Sequence, residues 1–161
     1  MNVEIRQMYY EDVEIGDKAV TEGRTISEAD IVNFAGVSGD YNSLHVDAVF
    51  AANSIGGQRV AHGLLIWSVG QGLYTKSPYN MSLQRQMRAM SSVNIRFRKP
   101  VLIGDTIHVV QECIEKSDTR PGSTAAKIIY KRTIINQRGE EVQVGEVSYL
   151  IAKRPAEEAT E

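Results

Sequence analysis

The stretch at residues 62–75 constrains the fold most. Leu64, Leu65, Ile66, Trp67, Val69, Leu73 and Tyr74 leave it hardly any polar face, so as a helix it must be buried on nearly every side. Something has to wrap around it, and the following sequence supplies the wrapping. From Ser91 the period changes to two, with Val93, Ile95 and Phe97 facing one way and Asn94, Arg96 and Arg98 the other. Pro100 ends that strand, and Gly104-Asp105 turns the chain into another at residues 106–114. Arg120-Pro121-Gly122-Ser123 turns it again, and Asn136-Gln137-Arg138-Gly139 links two more extended runs. Gly145 shifts the alternation and predicts a bulge. Strands joined by short turns pair antiparallel. The expected fold class is therefore α+β, a curled antiparallel sheet wrapped around a long buried central helix.

Upstream, an initial extended segment gives way to helix. Thr25-Ile26-Ser27-Glu28 and Ser27-Glu28-Ala29-Asp30 both fit a capping box, and Ile31, Phe34 and Ala35 follow as an apolar stripe that stops near Gly39. A second short helix is expected at residues 46–52. The 161 residues suit one domain, expected at 1–154, which would bury roughly 68–70% of its unfolded surface. Residues 155–161 read as an acidic, frayed tail. The start of the chain carries acids where a signal peptide would be basic and then apolar, and no segment reaches membrane-spanning length without polar interruption. A single cysteine, Cys113, cannot form an internal disulfide and reads as a small core residue, which suits a cytoplasmic location. A net charge of −2 with no block of like charges argues against nucleic-acid or membrane partners. That leaves a small molecule or a second copy of the chain.

Chemistry concentrates in two segments, Gly39-Asp40-Tyr41-Asn42-Ser43-Leu44-His45 and Val60-Ala61-His62-Gly63-Leu64-Leu65. The first brings a carboxylate and an imidazole together on a loop. The second opens the apolar helix with a glycine, so one pair can move protons and one helix end can hold an anion. Read alone, an Asp in such a loop is a turn residue and a His a satisfied loop side chain; it is the joint spacing that favours a site. His62 reads as structural or capping, His108 as an ordinary strand residue, and Gly70 and Gly72 as allowing close packing. A metal set of Asp40, His45 and Asp47 has suitable ligand types, yet it lacks a second histidine at helical spacing and a cysteine cluster, so no metal is expected.

These segments resemble the MaoC-like hydratases, or (R)-specific enoyl-CoA hydratases, of the hot-dog fold. The resemblance rests on Ser38-Gly39-Asp40, Asn42, His45, Ala51-Ala52 and Val60-Ala61-His62-Gly63. It extends loosely to Arg98-Lys99-Pro100-Val101 and Gly104-Asp105, covering residues 13–151. The family often has proline where this chain has Ser43, a change that removes no catalytic atom.

The resemblance implies reversible hydration of a trans-2-enoyl-CoA to an (R)-3-hydroxyacyl-CoA. Asp40 and His45 would be catalytic, the Gly63 backbone N–H would donate to the thioester oxygen, and Asn42 would brace the loop. Trp67 and Gln71 are candidates for an acyl tunnel, although large side chains at helical spacing are more often plain core. Arg96, Arg98 and Lys99 are candidates for the CoA phosphates, although alternating charges are also a wet strand face. No cofactor is implied, since CoA is part of the substrate. Two other readings stand beside this one. A hot-dog thioesterase often carries an acid in the central helix, and residues 63–75 contain none; a non-catalytic acyl-CoA-binding subunit would have lost the acid and base. A curled sheet leaves strand edges, so a homodimer or higher homo-oligomer is expected. Acyl chain length and branching, CoA against acyl-carrier protein, the place in fatty-acid metabolism and the direction of reaction all lie beyond the sequence.

Overall fold

A computed structural model describes residues 6–156. The tail expected at 155–161 and the first residues of the chain lie largely outside those. After a 3-10 turn at Tyr10–Asp12 come β1 (Lys18–Val20), β2 (Arg24–Thr25), α1 (Glu28–Ser38), α2 (Ser43–Val46), α3 (Ala48–Ala52), α4 (Gly63–Thr75) and α5 (Pro78–Leu83). Four long strands follow: β3 (Met87–Phe97), β4 (Thr106–Asp118), β5 (Ala125–Asn136) and β6 (Glu141–Ala152). They form one antiparallel sheet in the order β1-β4-β5-β6-β3, with β2 also paired to β4. The fold is α+β, with α4 against the sheet.

Of the two capping boxes, Ser27 and Asp30 form the real one. The Ser27 hydroxyl accepts from Asp30 N–H while the Asp30 carboxylate accepts from Ser27 N–H. Gly39 then ends α1 in the left-handed conformation, at φ 74°, where a side chain would be strained. The helix expected at 46–52 is split in two, because Asp47 caps α3 through the N–H groups of Val49 and Phe50. The sequence reading missed α5, whose start is marked by Ser77 as cap and Pro78 in the first turn.

Helix α4 is buried on most sides through Leu65, Ile66, Trp67, Val69, Gly70 and Tyr74. It is not buried all round, since Leu64, Ser68, Gly72 and Thr75 form an exposed stripe that the sheet of one chain leaves uncovered. Gly70 does meet the sheet: an added Cβ would lie 2.7 Å from Ile134 Cδ1. Gly72 faces open space, which removes its packing role.

The bulge expected at Gly145 is absent, for Gly145 stays in register with both Ile95 and Arg132. Its glycine has a spatial cause instead. A Cβ there would lie 2.1 Å from the Asn94 carbonyl oxygen and 2.8 Å from Trp67 Cη2.

Alternation along β5 places Arg132 inward, where it is fully buried. Its Nε and Nη2 donate to Gln111 Oε1 and its Nη2 also to Tyr149 OH, while Trp67 and Tyr74 present their rings to it. Tyr149 in turn donates to Gln71 Oε1 at 3.1 Å. Trp67 thus meets this buried guanidinium directly and Gln71 reaches it only through Tyr149. Cys113 belongs to the same core, and burial pushes its thiol up.

The β3–β4 connection is fastened by Asp105, whose carboxylate accepts from Leu102 N–H, Gln137 and Arg138. Burial by itself would raise this carboxyl, but these hydrogen bonds and the Arg138 charge outweigh it and hold it below the usual range. A carboxyl depressed in the fold stabilises above its unfolded value of about 3.9, and that contribution is lost as pH falls through the folded value. Asp105→Asn is therefore expected to cost about 2 kcal/mol at neutral pH, since it removes charged hydrogen bonds from a buried site. It should also flatten the acid side of a melting-temperature profile taken between about pH 3 and pH 7.

Candidate active site

Capping and turn bonds build the Asp40 loop. Asp40 Oδ1 accepts from Asn42 N–H at 3.2 Å, and Asn42 Oδ1 accepts from Leu44 N–H at 3.0 Å as the cap of α2. Asn42 thereby fixes the start of the short helix that carries His45. Opposite the loop, the extended segment before α4 is held by Val60 N–H to Leu44 O, Ala61 N–H to Val101 O and a bridge between Val60 and Leu102. The Asp40 loop, the start of α4 and the end of β3 therefore share one location.

They enclose a cleft of about 720 Å³. Asp40, His45 and Gly63 all line it, together with His62, Phe34, Ile66 and Gln143. Arg98 and Lys99 stand in its wall, each paired with an acid: Arg98 with Glu141 at 2.8 Å and Lys99 with Glu140 at 2.7 Å. Arg96 lines a separate recess on the sheet with Lys131 and Glu146. Trp67 and Gln71 are not among the lining residues: Trp67 is buried beside the Arg132 guanidinium, and Gln71, half-buried, accepts from Tyr149 OH.

Asp40 is exposed and His45 half-buried. His45 Nδ1 lies 2.8 Å from Val60 O. A carbonyl oxygen can only accept, so this nitrogen carries the proton, and in the neutral ring Nε2 is left with the lone pair. His62 Nε2 likewise donates to Asp40 O at 2.9 Å. The two imidazoles stack with centroids 3.8 Å apart and planes at 28°, and the Phe34 ring lies tilted against His62 with centroids 5.0 Å apart. His62 precedes α4 without a side-chain capping bond, so its capping role is not what the fold uses.

One ligand atom from each of Asp40, His45 and His62 lies within 4.8 Å of the others. The stacked rings direct their in-plane lone pairs along nearly parallel planes, a poor fit to the convergent donors of a tetrahedral metal centre. Asp47, the third ligand considered from sequence, caps α3.

Gly63 is the first residue of α4, where a backbone N–H has no intrahelical acceptor and the helix end is positive. Its carbonyl accepts from Gln143 Nε2 at 2.7 Å, and a Cβ would strike the Phe97 ring at 2.6 Å. Gln143 and Phe97 were not foreseen in this setting, since only closure of the sheet brings β6 and the end of β3 to this helix terminus. An acid–base pair beside an uncommitted helix-end donor, in a cleft walled by apolar side chains, suits proton transfer next to a carbonyl.

Comparison with known proteins agrees with this chemistry. A family model described as MaoC like domain matches residues 12–134. The MaoC protein of Klebsiella aerogenes is 40% identical over 109 residues, spanning 68% of this chain but only 31% of that protein. An (R)-specific enoyl-CoA hydratase of Rhodospirillum rubrum is 30% identical over 91% of this chain and 93% of its own length. The structure of a monoamine oxidase regulatory protein from Archaeoglobus fulgidus superposes with a TM-score of 0.84 at 34% identity, over 93% of this chain and 97% of that one. The architecture is the hot-dog fold of such neighbours.

Proposed function

The chain belongs to the MaoC-like domain family of hydratases and dehydratases, and from that premise we propose that it is a hydro-lyase. It adds water reversibly across a trans-2-enoyl thioester of CoA to give the (R)-3-hydroxyacyl thioester. The observation that carries this reading is the convergence of Asp40, His45 and the first residue of α4 on one cleft.

Water is a poor nucleophile at neutral pH and needs a base, while the enoyl thioester gains negative charge on its oxygen as the β carbon is attacked. Asp40 and His45 hold one water between them. Asp40 accepts its proton, and the pair returns a proton to the α carbon on the same face. With Nδ1–H committed to Val60 O, His45 works through Nε2. The Gly63 N–H receives the thioester oxygen. Apolar cleft residues such as Ile66 and Leu64 suit the acyl group, and Arg98 and Lys99 at the wall suit the CoA phosphates.

The chain is also proposed to work as a homodimer. Strand β3 is an eleven-residue sheet edge with Met90, Val93 and Phe97 exposed, and unpaired edges of that length are normally covered. Sedimentation equilibrium should return twice the chain mass; a monomer at all concentrations would contradict it. Among the described residues no helix is long and apolar enough to cross a membrane.

The test of function is loss of enoyl absorbance with crotonyl-CoA and longer trans-2-enoyl-CoAs, with free thiol monitored alongside. Hydration without thiol release is expected, and thiol release would favour a thioesterase instead.

A further inference from the structure

His62 is the residue that ties the site together, and nothing in the hydration chemistry itself requires it. It is 2% exposed, more buried than either Asp40 or His45. All the polar bonding of its side chain goes one way, because Nε2–H donates to Asp40 O at 2.9 Å while buried Nδ1 has no partner. One face of the site's second histidine rests on it, at 3.8 Å between centroids, and Phe34 supports it at 5.0 Å. It is also covalently joined to Gly63, the helix-end donor.

We propose that His62 is a positioning residue. Its N–H pins the backbone that carries Asp40, and its ring holds the His45 imidazole so that Nδ1–H stays on Val60 O and Nε2 stays in the cleft. Its place in the chain then keeps both in register with the Gly63 donor. This rests on the hydratase reading of the same site. The arrangement separates two actions of one side chain. The hydrogen bond orients Asp40, and the ring contact holds His45 against Val60 O, whose carbonyl fixes the tautomer. Each is stiff because the ring is buried, and misplacement of catalytic groups by about 1 Å can cost a hundredfold in rate.

Two variants divide the actions. His62→Phe keeps an aromatic ring against His45 but has no donor for Asp40 O. His62→Gln keeps an N–H donor at similar reach but loses the stacked ring. Both are expected to lower kcat by about tenfold to a hundredfold with KM changed much less. Long-range proton–nitrogen NMR correlations of the imidazoles supply the second readout. Wild type should show His45 protonated at Nδ1 and His62 at Nε2. The Phe variant should keep the His45 pattern, and the Gln variant should show a mixture of His45 tautomers.

Kcat values within twofold of wild type with an unchanged His45 pattern would overturn the proposal. So would wild-type His62 protonated at Nδ1, a result that needs no variant to fold. Wild type that shows these tautomers but hydrates no enoyl thioester would instead sink the hydratase reading. Active wild type with either overturning result sinks the positioning role alone.

Discussion

Asp40→Asn is expected to lower kcat for enoyl-thioester hydration by about 10²–10⁴-fold, the usual contribution of a positioned general acid or base. Asparagine keeps an oxygen that can accept from Asn42 N–H, so the loop geometry is preserved while the proton acceptor is lost. Asp40 is exposed, and stability should change by no more than about 0.5 kcal/mol. His45→Ala should fall by a similar factor. The double variant should lose little more than the worse single one, because the two groups act on one water. Kcat, KM and melting temperature measured together check this, and a loss of less than tenfold in either single variant would remove that residue from the chemistry.

The largest expected effect on stability is at Gly145. An alanine Cβ there would sit 2.1 Å from the Asn94 carbonyl oxygen, which is backbone of the neighbouring strand, and 2.8 Å from Trp67 Cη2. Neither neighbour can yield cheaply. Asn94 is held in the β3–β6 ladder, and Trp67 is buried with the Arg132 guanidinium over its ring. Overpacking commonly costs about 1–3 kcal/mol, and a clash with backbone belongs at or above the upper end. Gly145→Ala is therefore expected to cost about 3 kcal/mol or more in urea unfolding, or to prevent folding. Gly72→Ala is the control. It lies on the exposed stripe of α4 with nothing within 4 Å, so alanine should stabilise by up to about 1 kcal/mol. Equal effects at the two positions would contradict this assignment of space.

What was legible in the sequence was whatever is written locally. The apolar run that became α4, the Ser27–Asp30 cap, the Gly39 stop and the turns at 120–123 and 136–139 all depend on residues a few positions apart. The Asp40–His45 loop was legible for the same reason, since its geometry is set by bonds spanning two or three residues. What escaped depends on closure of the fold. Gly145 imitates a bulge in sequence because both interrupt alternation, and only the strand register and the close approach of Asn94 and Trp67 tell them apart. Nothing local marks Arg132, and it is the register of β5 that turns it inward in line with Ile134 and Tyr130. The contact of His62 with the His45 ring joins positions seventeen apart in the chain and is not written in either local segment. Gln143 reaches Gly63 from eighty positions away. Trp67 and Gln71, candidates for a tunnel but more simply core, find their partners in Arg132 and Tyr149 on distant strands.

The central claim is that Asp40 and His45 deliver the elements of water from one side of the cleft to a substrate whose thioester oxygen rests on the start of α4. Hydration of crotonyl-CoA in D₂O tests it most directly, with the configuration at both new centres determined in the product. The account predicts an (R)-hydroxyl at the β carbon and a single deuterium at the α carbon on the same face. Deuterium on the opposite face, an (S)-hydroxyl, or no hydration of any enoyl thioester would contradict it.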